Sequence, residues 1–210
     1  MDYEAEVSAF LAQKENFRLA LEIADHLEKA KSKVQVAFWK DCERRLLQRL
    51  SASTQAESWK TGMPFNDGDS VPATGEPLYL VPSEIDPYAG GTRVVYYGFG
   101  TYQYSTEYGV FTCVRLDTDE GWQTFKSKEL ARLSDMLKEE GHKPSELSVG
   151  WRSLWTHAKP DPFLVGIVER PEEMAESAVE VLWKTFTQTV AQAEKATAAI
   201  RKMRRPHPAT

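Results

Sequence analysis

Only two cysteines occur in 210 residues, Cys42 and Cys113. They lie far apart, which excludes a disulfide scaffold and points to a reducing, cytoplasmic setting. No run approaches the roughly 18 to 20 apolar residues that cross a bilayer, and the first ten residues are too acidic for a signal peptide. No membrane partner is expected. Glycine and proline are missing before Gly62, so nothing in that stretch forces a helix to stop. The histidines His26, His142, His157 and His207 are scattered. Without C-x-x-C, H-x-x-x-H or H-E-x-x-H spacing, no metal site is expected. Gly90-Gly91 precedes a strand rather than opening a helix, so it reads as a turn and not as a phosphate loop. No cofactor motif remains.

Basic residues are scarce in one region. The whole chain carries 26 Lys+Arg against 31 Asp+Glu, a net charge of −5. Residues 51–125 hold only Lys60, Arg93 and Arg115 against ten acids. Nucleic-acid affinity rests largely on cations that neutralise phosphates, so this third is a poor nucleic-acid surface. It reads as a solvated acidic face or as a surface for a basic partner.

What is present predicts one α+β domain over 1–210, with an antiparallel sheet of about four strands flanked by long N- and C-terminal helices. Residues 1–52 are helical. Phe17, Leu21, Ala24 and Leu27, then Ala30, Val34, Phe38, Cys42, Leu46 and Leu50, recur at helical spacing. Two helices, or one bent near Ala30, fit, with Asn16 as an N-cap. Residues 61–77 form a long loop rich in glycine and proline. The sheet spans 78–125, with strands near 78–81, 93–99, 108–116 and 121–125. A short helix and loop fill 127–170, with 128–140 helical. If 150–157 is helical, Trp151 and Trp155 share one of its faces. Residues 163–167 read as a buried strand or an apolar loop. Pro171 opens a last helix reaching about 205, whose end projects or packs on the N-terminal helices.

No catalytic residue emerges. Cys113 could be written with His142 or His157 as a dyad, but a cysteine inside a strand is by default packed in the core. An acidic site of Asp117, Asp119 and Glu120 with His157 is the enzymatic alternative. The run Tyr97-Gly98-Phe99-Gly100-Thr101-Tyr102-Gln103-Tyr104 partly matches the stacking motif of RNA-recognition sheets. It lacks the leading basic residue and sits in acidic surroundings, so nucleic acid is weakly supported. Tyr97, Phe99, Tyr102 and Tyr104 are nevertheless candidate contacts, beside Trp151 and Trp155; core packing is the plainer role for all of them. The basic tail of Arg201, Lys202, Arg204 and Arg205 either touches phosphate or complements a helix C-terminus.

Several phrases together carry a resemblance: Phe10 to Phe17, Ala20 to Ala24, Ala30-Lys31, Phe38-Trp39-Lys40, Tyr96 to Phe99, Ser148 to Trp155, and the helix after Pro171. The chain resembles the region that follows the nuclease domain in bacterial PD-(D/E)XK nuclease superfamily proteins. The nuclease signature itself is missing, since no Asp or Glu is followed two positions later by Lys. The resemblance therefore implies a non-catalytic module that recognises a macromolecule or docks a protein partner, a nuclease domain among them, with bacterial defence against phage as the setting it suggests. Helix-mediated oligomerisation is the alternative, and the oligomeric state stays open.

Overall fold

A computed structural model describes residues 3–64, 75–85, 92–104, 107–118, 121–158 and 160–203. The chain opens with helices α1 (Tyr3–Leu11) and α2 (Lys14–Ser51). Strands β1 (Trp59–Gly62), β2 (Gly75–Pro82), β3 (Val95–Tyr104) and β4 (Glu107–Leu116) follow. A 3₁₀ turn at Trp122–Thr124 leads to α3 (Lys128–Glu139), β5 (Gly150–His157), α4 (Asp161–Glu169) and α5 (Pro171–Lys202). The strands form one antiparallel sheet in chain order, β1-β2-β3-β4-β5. Among the described residues no helix is long and apolar enough to cross a membrane.

The core lies between one face of the sheet and the helices α2, α3, α4 and α5. Leu78, Leu80, Val95, Tyr97, Phe99, Val110 and Val114 point toward the helices, as the two-residue side-chain period requires. They meet Phe38, Trp39, Cys42, Leu46 and Leu50 of α2 and Ala178, Leu182, Phe186 and Ala193 of α5. Trp39 lies 5.3 Å from the Phe99 ring, and Tyr97 lies 5.2 Å from Phe186. Fully burying each such side chain contributes about 1.5–3 kcal/mol. Arg45 and Arg49 of α2 reach the carboxylates of Glu176 and Glu180 on α5 and tie the two helices together along their exposed seam.

Several local expectations are corrected. The sheet has five strands, not about four. Residues 59–62 and 75–77, placed in or beside the loop, are strand; Met63 and Pro64 lie outside any strand, and 65–74 fall outside the described residues. The predicted strand at 121–125 is instead a 3₁₀ turn. α2 runs unbroken through Ala30 and begins at Lys14, so Asn16 is not its N-cap; its amide donates to the Phe10 carbonyl at 2.9 Å and closes the end of α1. Residues 150–157 are a strand rather than a helix. Residues 163–167 are neither strand nor loop but part of α4: Pro162 sits in the first helical turn, where its missing N–H costs nothing. α5 ends at Lys202, and the last seven residues lie outside the described part. Of the two alternatives for this helix, packing on the N-terminal helices is the one seen, since Glu176 and Glu180 near its start meet Arg45 and Arg49 of α2.

Candidate functional site

Two features stand outside the core, a helical arm and a cavity. The arm is α1 with the first half of α2. No residue from 4 to 37 is buried, and burial on α2 begins at Phe38. At 1.5 Å per residue, α2 is on the order of 57 Å long, and more than a third of it extends past the body. Eight of the twelve large apolar side chains exposed among the described residues lie here: Val7, Phe10, Leu11, Phe17, Leu19, Leu21, Ile23 and Leu27. Phe17, Leu21 and Ala24 continue the stripe that Trp39, Cys42 and Leu46 bury lower down. Pairs four apart, Arg18–Glu22 and Asp25–Lys29, brace the helix through its polar sides.

The cavity, about 610 Å³, lies on the sheet face turned away from the helices. Its floor is aromatic. Phe111 lies across Gly100, its partner on β3, and Tyr102 lies across Gly109, its partner on β4. A Cβ on Gly100 would come within 2.1 Å of the Phe111 ring, and one on Gly109 within 2.2 Å of Tyr102. Glycine at both positions lets the rings lie on the sheet. Trp151 closes one side, its ring 5.9 Å from Phe111 and inclined by 74°. Glu107 lines the cavity and accepts a hydrogen bond from the Tyr102 hydroxyl. Arg115 donates to Glu76 and, at 3.1 Å, to the Leu147 carbonyl. Burial works against the Arg115 charge, but the Glu76 carboxylate outweighs it and raises the pKa of the guanidinium. Burial, then Glu76, push the Tyr96 hydroxyl upward, and Tyr96 donates to Glu76 at 2.8 Å.

The sequence candidates separate. Tyr97 and Phe99 are fully buried in the core and cannot be contacts. Tyr102 and Trp151 line the cavity. Trp155 does not join Trp151. Between Val110 and Phe111 the β4–β5 register shifts, so one extra β5 residue, Leu154, stands between Ser153 and Trp155. A bulge reverses the facing of everything beyond it. Trp151 thus faces the cavity, while Trp155 packs on the helix side, 5.7 Å from Phe163 and 6.3 Å from Phe38. Arg201 and Lys202 close α5, with Arg201 3.5 Å from Glu84. The side chain of Tyr104 and residues Arg204 and Arg205 lie outside the described part.

Among the described residues, the members of the enzymatic alternatives do not come together. Asp117 follows the end of β4 and accepts from the Thr92 backbone N–H at 2.8 Å and from its hydroxyl. His157 pairs with Tyr108 at the other end of β4, on the order of 30 Å away at strand rise. Asp119 and Glu120 fall outside the described residues. Cys113 faces the cavity side, whereas His142 reaches Thr112 on the helix side, so the sheet separates them. Burial pushes the Cys113 thiol well above its usual range, and the nearby Glu76 adds to this. Neither condition favours a thiolate nucleophile. Among the described residues no three His, Cys, Asp or Glu side chains gather to hold a metal ion.

Sequence reasoning missed Phe111 and Glu107. The signal was present in Gly100 and Gly109, since glycine inside a strand marks a close approach by another group. No family model, curated protein or solved structure matches this chain.

Proposed function

We propose that this chain is a non-catalytic protein-docking module whose docking element is the α1–α2 arm. The observation that carries this reading is the row of exposed apolar side chains from Val7 to Leu27 on a helix whose lower half is firmly packed. A contiguous apolar surface of that kind costs solubility and is characteristic of an interaction site. The resemblance to the region following PD-(D/E)XK nucleases supplies a partner class, a nuclease domain, with bacterial defence as its setting. The two free, buried cysteines suit a cytoplasmic location.

A second reading, self-association, draws on the charge order of the arm. Residues 3–28 carry six acids against Lys14 and Arg18, whereas 29–40 carry four lysines and no acid. Two copies laid antiparallel would set acidic segment against basic segment. Light scattering tests both readings, on the chain alone and mixed with a nuclease domain of the resembling family. A dimer alone supports self-association, and a mixed complex supports the nuclease partner. Phe17→Glu with Leu21→Glu is expected to abolish either one while leaving the melting temperature of the body unchanged. A monomer that forms no complex overturns the proposal.

A further inference from the structure

We propose that the cavity on the helix-free face of the sheet binds an organic cation bearing apolar groups, a methylated ammonium being the best fit. This site is independent of the arm. A methylated ammonium needs electron-rich ring faces set at an angle, a nearby anion, and little competition from water. Phe111 and Trp151 form such a corner, their rings inclined by 74° with centroids 5.9 Å apart. Tyr102 adds a third ring, 6.0 Å from Phe111 and tilted by 35°. Ring faces of this kind attract cations through their quadrupole, most strongly where the cation sheds water. Three different strands supply the rings, and the glycines opposite Phe111 and Tyr102 keep that floor in place.

Charge around the cavity favours the same class. Its lining carries Glu76, Glu107 and Arg115. Glu76 is committed to Arg115 and Tyr96. Glu107 makes no ion pair among the described residues, and its one hydrogen bond comes from the Tyr102 hydroxyl. That bond increases the electron density of the ring. Arg115 stands eight positions along β4 from Glu107, about 26 Å at strand rise, and its charge is already matched. Among the described residues, the end of the cavity near Tyr102 therefore holds a carboxylate with no ion-pair partner beside aromatic faces. A neutral apolar ligand would leave that carboxylate desolvated without compensation, and an anion would be repelled. The volume, about 610 Å³, lies within the range of small-molecule sites.

The test uses the full chain and isothermal titration with choline, with its neutral carbon isostere 3,3-dimethylbutan-1-ol, and with a trimethyl-lysine peptide beside its unmodified form. Binding of choline at least tenfold tighter than the isostere is expected. Trp151→Leu should remove that binding, and Glu107→Gln should weaken it several-fold, both with unchanged melting temperature. Tighter binding of the trimethyl-lysine peptide than of choline identifies a modified protein tail as the source, and the reverse identifies a free metabolite. If Trp151→Leu lowers the melting temperature, the shift of the Trp151 indole N–H resonance in the native chain on adding choline serves as the readout. Equal binding of the isostere, no binding of either cation, or an unmoved indole resonance overturns the proposal.

Discussion

The two halves of α2 carry the same kind of stripe and meet different fates. From Phe38 to Leu50 the apolar residues sink against the sheet and α5, while from Phe17 to Leu27 equivalent residues stand in solvent. Helical periodicity specifies which side of a helix is apolar. It carries no information about what lies opposite. The lower half is helical because tertiary packing holds it there. The upper half depends on its uninterrupted run of strong helix formers, on pairs such as Asp25–Lys29, and on continuation from a helix already nucleated below.

That contrast can be broken at several points. The largest expected effect lies in the packed half. Trp39 is fully buried between Phe38 and Phe99, and Trp39→Ala should cost about 3–5 kcal/mol in chemical denaturation. An effect below 1 kcal/mol would mean that the lower half is no better anchored than the arm.

Acid should act on the body and spare the arm. His142 is buried, with Nδ1 lacking a hydrogen-bond partner in the described structure; burial, then the Arg152 charge, bring its pKa down to about 4. In the unfolded chain it titrates near 6.5. Between these values the unfolded state binds the extra proton, so stability falls as pH drops from about 6.5 to 4, by up to about 3 kcal/mol. Melting curves across that window should show the loss, and His142→Gln should flatten it.

The ion pairs that clamp α2 to α5 are a smaller lever. Glu176 receives both Arg45 and Arg49, and the hydrogen bond from Arg45 leads, against a burial cost, in lowering its pKa. Partly exposed pairs are worth about 0.2–1 kcal/mol each, so Glu176→Gln should cost about 1 kcal/mol, less in high salt. No dependence on salt would assign the clamp to packing alone. The smallest effect belongs to the bare half: Phe17→Ala should change the stability of the monomer by less than about 0.5 kcal/mol. A larger loss, seen by denaturation at low concentration, would show that the arm folds back onto the body.

The fold was legible where one local period governed the residues. The stripe from Val34 to Leu50, the stripe of α5 and the β-rich runs of β3 and β4 were readable as elements, and together they give the α+β class. Long-range geometry was not. Trp151 and Trp155 share helical spacing, but a strand with one extra residue sends them to opposite faces, and nothing in Gly150 to His157 announces the bulge. Residues 163–167 read as strand or loop, although Pro162 just before them sits where a helix tolerates proline. The cavity was half visible: Tyr102 and Trp151 were candidates by type, but their meeting with Phe111 depends on pairing across β3, β4 and β5, which no single segment encodes.

The same bulge bears on how this protein behaves when crowded. A regular outer strand offers a row of unpaired N–H and C=O groups onto which another chain can add, and repeated addition builds insoluble aggregate. Here β5 is one edge, interrupted at Leu154 and capped near its start by Lys143, which exchanges two 2.8 Å backbone hydrogen bonds with Trp151. The other edge, β1, is only four residues long. Both templates are blunted, so growth of the sheet from molecule to molecule is disfavoured.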